Sequence, residues 1–185
     1  VTPLEAGLAI SAALDRAAIA YALGGALALS FWAVPRATAD VDVNVFVHDS
    51  ELQSMCDALS SIGLPIDVGA ARAASDASGL IVARWNHLRI DLFTPSIEFS
   101  WEAMRTRRRV SIEGTSVCLL SPEALAVFKL LFFRPKDIAD LQRLIGVQGR
   151  ALDVAYVRSW IVVMMGEEDE RVGRWDALVA AHGAR

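Results

Sequence analysis

Two aspartates, Asp40 and Asp42, open a run of alternating β-branched residues and follow closely on a glycine pair, Gly24-Gly25. The run from Val41 to Val47 carries β-branched or aromatic residues at 41, 43, 45, 46 and 47, which predicts a strand. Side chains two apart on a strand share a face. Asp40 and Asp42 are therefore expected on one face, roughly 7 Å apart along the backbone at a rise of about 3.3 Å per residue. Carboxylates held that close repel unless a cation lies near them. Hard oxygen donors favour Mg²⁺ (or Mn²⁺), shared with substrate phosphates rather than caged by protein. Gly24 and Gly25 allow backbone to approach a phosphate, and the helix expected after them adds its positive N-terminal end. Together the pattern points to transfer of a nucleotidyl group from a nucleoside triphosphate.

A third carboxylate is expected to complete the metal site or to activate the attacking hydroxyl. Asp91 is the candidate, because it interrupts the apolar strand Leu88–Phe93 and a charge there is costly unless it is paired or metal-bound. The structural alternative is an ion pair with Arg89 or Arg84.

These residues need a scaffold. With 185 residues the chain supports one domain or a domain with a small appendage, and 54% hydrophobic residues exclude disorder. The net charge of −4 excludes a uniformly basic nucleic-acid binder, so any such contact needs a local patch. The pattern predicts helices over 2–19, 26–33, 50–60 and 97–104, and strands over 20–23, 40–47, 66–68, 80–85, 88–93, 107–112 and 115–119. The small, polar stretch 70–79 is expected to be a surface loop. Asn86-His87 and Glu113-Gly114 are expected hairpin turns. From Ser121 onward the character becomes helical, with helices opening at Pro122 and over 136–145, 153–164 and 167–180. The expectation is a mixed α/β body over 1–120 and a helical C-terminal subdomain over 121–185. The uncharged stretch 17–34 is read as strand, turn and helix and not as a membrane span, since it holds Gly24-Gly25 and runs into Pro35 and an acidic strand. Cys56 and Cys118 lack metal-ligand spacing and are expected as buried thiols of a cytoplasmic protein.

The segments Gly24-Gly25-Ala26-Leu27-Ala28-Leu29 and Pro35-Arg36-Ala37-Thr38-Ala39-Asp40-Val41-Asp42 resemble the first motif of the nucleotidyltransferase superfamily. They most resemble its AbiEii and MenT branch, toxin components of bacterial toxin–antitoxin systems. That branch also carries a helical lysine followed by an Arg/Lys-Asp-x-x-Asp-Leu segment. Here Lys129 precedes Lys136-Asp137-Ile138-Ala139-Asp140-Leu141. The resemblance spans residues 21–144 and implies an α+β fold, with a mixed β-sheet core, flanking helices and a C-terminal helical bundle. It departs at Ala26, where relatives often carry Ser or Thr, and in a short interval between Lys129 and Asp137.

By resemblance, Lys129 or Lys136 neutralises triphosphate charge, and Asp137 or Asp140 orients it or completes the site. The alternative is an exposed helix face on which Lys136 and Asp140 pair at i,i+4. Arg36 suits multidentate oxyanion contacts, with the triphosphate or an acceptor phosphate. Thr38 borders the expected metal site, and its phosphorylation would bring about two negative charges among the carboxylates. The resemblance implies such control by a kinase-like antitoxin. It also implies the 3′ end of tRNA as acceptor and a pyrimidine donor, CTP or UTP. Arg105, Arg107, Arg108 and Arg109 form a basic patch, read either as a track for RNA phosphates or as a charged strand edge that discourages pairing. Two further readings stay open: a nucleotidyltransferase that modifies a small antibiotic, and a degenerate fold that only binds a partner.

Overall fold

The computed structural model describes residues 1–182. Its helices are α1 (Pro3–Arg16), α2 (Gly25–Trp32), α3 (Leu52–Ser60), α4 (Val68–Ser78), α5 (Glu98–Thr106), α6 (Pro122–Phe132), α7 (Pro135–Gln148), α8 (Val154–Met165) and α9 (Glu170–His182). Its strands are β1 (Tyr21–Leu23), β2 (Asp40–Val45), β3 (Leu80–Trp85), β4 (Leu88–Phe93), β5 (Arg108–Ile112) and β6 (Thr115–Leu119). They form one six-stranded sheet in the order β3-β4-β2-β1-β6-β5. Two pairings are parallel, β2 with β4 and β1 with β6, and the rest are antiparallel. This is the mixed sheet with flanking helices expected of the α+β class.

The chain divides into two compact units. The first comprises 1–27 and 37–120; the second comprises 28–36 and 121–185. The segment 28–36, mostly the body of α2, thus belongs with the C-terminal helices.

In the first unit, α1 starts at a reciprocal cap: the Glu5 amide donates to Thr2 Oγ1, the Thr2 amide donates to Glu5 Oε2, and Pro3 opens the first turn. One side of α1, with Ala6, Ile10 and Leu14, is buried and packs on β1, β2, β6 and α3. The sheet residues turned into this core are Val41, Val43, Ile90, Leu92 and Ile81, all buried. Strand alternation then commits their neighbours to the opposite face. Asp40 and Asp42, Arg89 and Asp91, and Val82 and Arg84 all lie there.

The hairpin expectations hold in detail. Asn86 joins β3 to β4 with φ 55°, and Glu113 and Gly114 both take positive φ between β5 and β6. Residues 68–78 depart from the expected loop and form α4. The segment is alanine-rich, alanine is the best helix former, Asp67 accepts from the Ala70 amide as N-cap, and Gly79 closes the helix at φ 69°. The strand expected at 66–68 is absent because Val68 is already the first residue of that helix.

In the second unit, α6 is capped by Ser121, whose Oγ accepts from the Ala124 amide. It packs on α7 and α8, and α7 packs on α9. Leu125, Leu130, Leu141, Ile145, Val157, Ile161 and Trp175 fill this core. Among the described residues, no helix is long and apolar enough to cross a membrane.

Candidate active site

The first unit brings the acidic residues together through strand register. Parallel pairing sets Asp42 beside Asp91 and Asp40 beside Arg89. Antiparallel pairing on the other side sets Val82 beside Asp91 and Arg84 beside Arg89. Asp40, Asp42 and Asp91 are half-buried, whereas Val82, Arg84 and Arg89 are exposed. Neighbouring strands are about 4.8 Å apart, so Asp42 and Asp91 stand side by side on one open face.

The glycine pair fixes how Asp42 sits. The Gly24 amide donates to the Asp42 carbonyl at 2.8 Å, which extends the β1–β2 ladder by one residue. Gly25 then turns the chain into α2 with φ +50°, a left-handed conformation that favours glycine. An added Cβ on Gly25 would lie 1.7 Å from Asp42 Oδ2 and 2.5 Å from its Cγ. The Asp42 carboxylate therefore occupies the space that a side chain would fill, packed on the first residue of α2. The positive end of the helix dipole favours an anion there.

Thr38 braces the start of β2. Its hydroxyl donates to the Asp40 carbonyl at 3.1 Å and accepts from the Asp40 amide at 3.2 Å.

Asp91 is turned onto its own strand neighbour: Arg89 Nε donates to Asp91 Oδ1 at 2.7 Å. The ion pair weighed from the sequence is thus formed with Arg89. Among the described residues, no three His, Cys, Asp or Glu side chains close on a common point as a ready metal cage. The expected ligands Asp40, Asp42 and Asp91 share one face without closing on one point, and Asp91 is paired with Arg89. The residues nonetheless fit a hard divalent ion. The donors are carboxylate oxygens, the Asp42 carboxylate sits in space that Gly25 leaves open, and Mg²⁺ takes one or two carboxylates with water and substrate phosphates as its other ligands.

The second unit holds a separate charged cluster. Asp140 is buried, with 1% of its side chain exposed, and receives three cations: Lys129 Nζ at 2.7 Å, Arg36 Nε at 3.1 Å and Arg143 Nη1 at 3.0 Å. Asp137, also buried, pairs with Arg134 at 2.6 Å and lies 3.7 Å from Lys129 Nζ. Burial pushes the Asp140 carboxyl up, but hydrogen bonds from Lys129 and Arg36, with their charges, outweigh it and hold it below the usual carboxylate range.

This geometry corrects part of the expectation for the helical landmarks. The Lys129 ammonium is buried between two carboxylates, so the positive charge that reaches solvent comes from Arg36, Arg134 and Arg143. Four cations face two carboxylates, a surplus of two positive charges within this cluster. Lys136 is exposed, and Asp140 takes the three other cations instead of an i,i+4 pair with it. Sequence reasoning missed Arg134 and Arg143; the available signal was their i,i+3 spacing from Asp137 and Asp140.

The basic patch is partly neutralised. Arg105 pairs with Glu102, Arg109 donates to Asp15 at 3.1 Å, and Arg107 donates to the Met104 carbonyl. Arg108 is exposed on β5, an edge strand. That edge is four strand spacings from β4, about 19 Å from Asp91. The second reading of the patch, a charged edge, gains weight from this placement.

Three comparisons with known proteins bear on this geometry. A search of curated proteins finds no match. Among solved structures, the chain is similar to the solution structure of the antibiotic-resistance factor ANT(2'')-Ia. The identity is 14%, with 96% of this chain and 95% of that one covered and a TM-score of 0.57. It is also similar to the crystal structure of an antigenic nucleotidyltransferase-like protein from Paracoccidioides brasiliensis, at 17% identity, with 92% and 91% of the two chains covered and a TM-score of 0.51. At such identities the likeness is one of fold. Residues 6–174 match the model of the family described as "Nucleotidyl transferase of unknown function (DUF2204)". With nearly the whole chain matched, and with paired carboxylates set beside a glycine bend on such a fold, the protein belongs to this nucleotidyl transferase family.

Proposed function

We propose that the open face of β2 and β4 transfers a nucleotide from a nucleoside triphosphate to a hydroxyl of an RNA 3′ end. In this reaction the acceptor oxygen forms a bond to the α-phosphorus, the bond to the β-phosphate oxygen breaks, and pyrophosphate leaves. The hydroxyl proton passes to Asp91. Asp40 and Asp42 would hold a divalent cation, which when bound would draw negative charge off the transferring phosphate. Gly25 leaves room for the Asp42 carboxylate against the first residue of α2. The observation that carries this reading is the register pair Asp42–Asp91 beside the Gly25 bend.

The acceptor class rests on charge. Arg84 is exposed on the same face as the carboxylates and across from Arg89, which offers a phosphate-bearing acceptor a cationic contact. The resemblance to AbiEii and MenT toxins supports tRNA as that acceptor, CTP or UTP as donor, and a kinase-like antitoxin acting at Thr38. A second reading, modification of a small antibiotic, is favoured by the fold shared with ANT(2'')-Ia.

The test uses each of the four nucleoside triphosphates, labelled on the α-phosphate, with Mg²⁺ and either total tRNA or a panel of aminoglycosides. Label on tRNA, lost in Asp42→Asn, is the expected result. Label on an aminoglycoside selects the second reading, and label on neither acceptor overturns both.

A further inference from the structure

Arg89 is a guanidinium set on the same face as the three carboxylates that the proposed reaction uses. Its Nε binds Asp91 Oδ1 at 2.7 Å, and its register partner on β2 is Asp40. Asp42 is in turn the register partner of Asp91, so strand pairing sets Asp40 and Asp42 next to the Arg89–Asp91 pair on one face.

The opposite neighbour explains why Arg89 leans this way. Arg84 stands directly across the β3–β4 pair, and like charges facing each other across a strand pair are destabilising. Turning along its own strand to Asp91 relieves that repulsion and relieves the crowding of carboxylates at once. Arg89 remains 47% exposed on its side chain, so nothing in the packing traps it there.

We propose that Arg89 is a positioning residue that stands in for a cation among Asp40, Asp42 and Asp91, and that it yields Asp91 when a divalent ion binds. The inference rests on the reading of these aspartates as metal ligands and proton acceptor. It has two consequences. While the nucleotide is absent, Arg89 neutralises Asp91 and keeps the acidic face from repelling itself. It also competes with the divalent ion, so that the bare protein binds metal more weakly than its carboxylates alone would. Once released, Arg89 stands beside Arg84, where an entering phosphate stabilises the pair.

The test is calorimetric titration of Mn²⁺ into the full chain without nucleotide, for the wild type, Arg89→Gln, Arg89→Lys, Arg84→Gln and Asp42→Asn. Mn²⁺ replaces Mg²⁺ as the probe because both take oxygen ligands. Removing one competing unit charge about 5 Å away, in a largely solvated setting, is expected to tighten Mn²⁺ binding about tenfold in Arg89→Gln. Arg89→Lys is expected to bind like the wild type, since the competing charge is kept. Arg84→Gln is expected to bind like the wild type too, because Arg84 contacts none of the three carboxylates. Unchanged or weaker binding in Arg89→Gln, or an equal gain in Arg84→Gln, overturns the inference. Wild-type affinity in Asp42→Asn is a distinct failure, because it overturns the metal reading of the aspartates themselves.

Discussion

The sharpest perturbation is a single methyl group at Gly25. In Gly25→Ala the new Cβ would meet Asp42 Oδ2 at 1.7 Å, Cγ at 2.5 Å and Cβ at 2.9 Å. Real Cβ atoms essentially never approach a neighbour within 3.0 Å. The carboxylate must therefore retreat by about 1.3 Å, the difference between those two distances, and a misplacement of about 1 Å at a reacting centre costs on the order of 10²-fold in rate. The backbone adds its own term: φ +50° at a residue with a side chain costs about 1–2 kcal/mol. For a chain of this size that is a fall in melting temperature of about 2–8 °C. The variant should thus remain folded and lose at least about 10²-fold in kcat/KM, measured as pyrophosphate release.

Gly24→Ala is the built-in control. Its added Cβ would meet Asn44 Nδ2 at 2.9 Å and Leu120 Cδ1 at 3.2 Å, both tips of side chains, while Asp42 is reached only through its carbonyl at 3.8 Å. Gly24 has no positive φ to lose. Its loss of activity should stay within about tenfold, since the carboxylate is not displaced. A folded Gly25→Ala protein with near wild-type activity would refute the reasoning. So would equal losses in the two variants, because the effect would then be general packing and not the seat of Asp42.

Two further expectations concern the other charges. Asp140→Asn leaves the buried Lys129 with only Asp137, 3.7 Å away, and should cost about 3–5 kcal/mol in urea unfolding. The same carboxylate confers acid sensitivity. Because its folded form sits below the ordinary value of 3.8, the unfolded chain binds that proton at higher pH than the folded chain does. Its stabilisation is complete above the unfolded carboxylate range and disappears as pH falls through the folded value, so Asp140→Asn should flatten that acid limb of the stability profile. Thr38→Asp removes the hydroxyl that braces Asp40 from both sides and adds a charge two residues from it, and should lower activity by about tenfold or more with little change in melting temperature. Full activity in that variant would remove Thr38 as a control point.

How far the sequence could be read depended on whether a feature was local. The β2 strand, the Gly25 bend and the shared face of Asp40 and Asp42 follow from alternation and glycine within a few residues, and the structure keeps all three. The loop expected at 70–79 failed for a local reason too: its small, polar residues suggested a loop, while its alanines and the Asp67 cap decide for helix. What the sequence cannot carry is pairing between distant elements. Asp91 sits beside Asp42 through a parallel register that joins residues 49 positions apart, and no periodicity encodes that neighbour. Asp140 collects Lys129 and Arg36 from distant segments, besides Arg143 one turn along its own helix, which places the lysine expected at the triphosphate in a buried ion cluster.

That last difference separates charges that hold the second unit together from charges that remain available to a substrate. A lysine on an amphipathic helix reads the same in either case; burial decides between them. Lys129 has 5% of its side chain exposed and two carboxylates within 4 Å, so its loss would take from Asp140 its one buried cation and leave it Arg36 and Arg143, which are partly exposed. Arg36, Arg134 and Arg143, with 30%, 50% and 44% of their side chains exposed, keep one side on the buried aspartates and another toward solvent. Activity and stability should therefore separate along this line. Lys129→Met should first be seen as lost stability, which Lys129→Met combined with Asp140→Leu would partly restore, because a buried charge pair replaced by apolar groups of similar size is often neutral. A triphosphate role for the surface arginines would show instead as a rise in KM at unchanged melting temperature in Arg143→Gln.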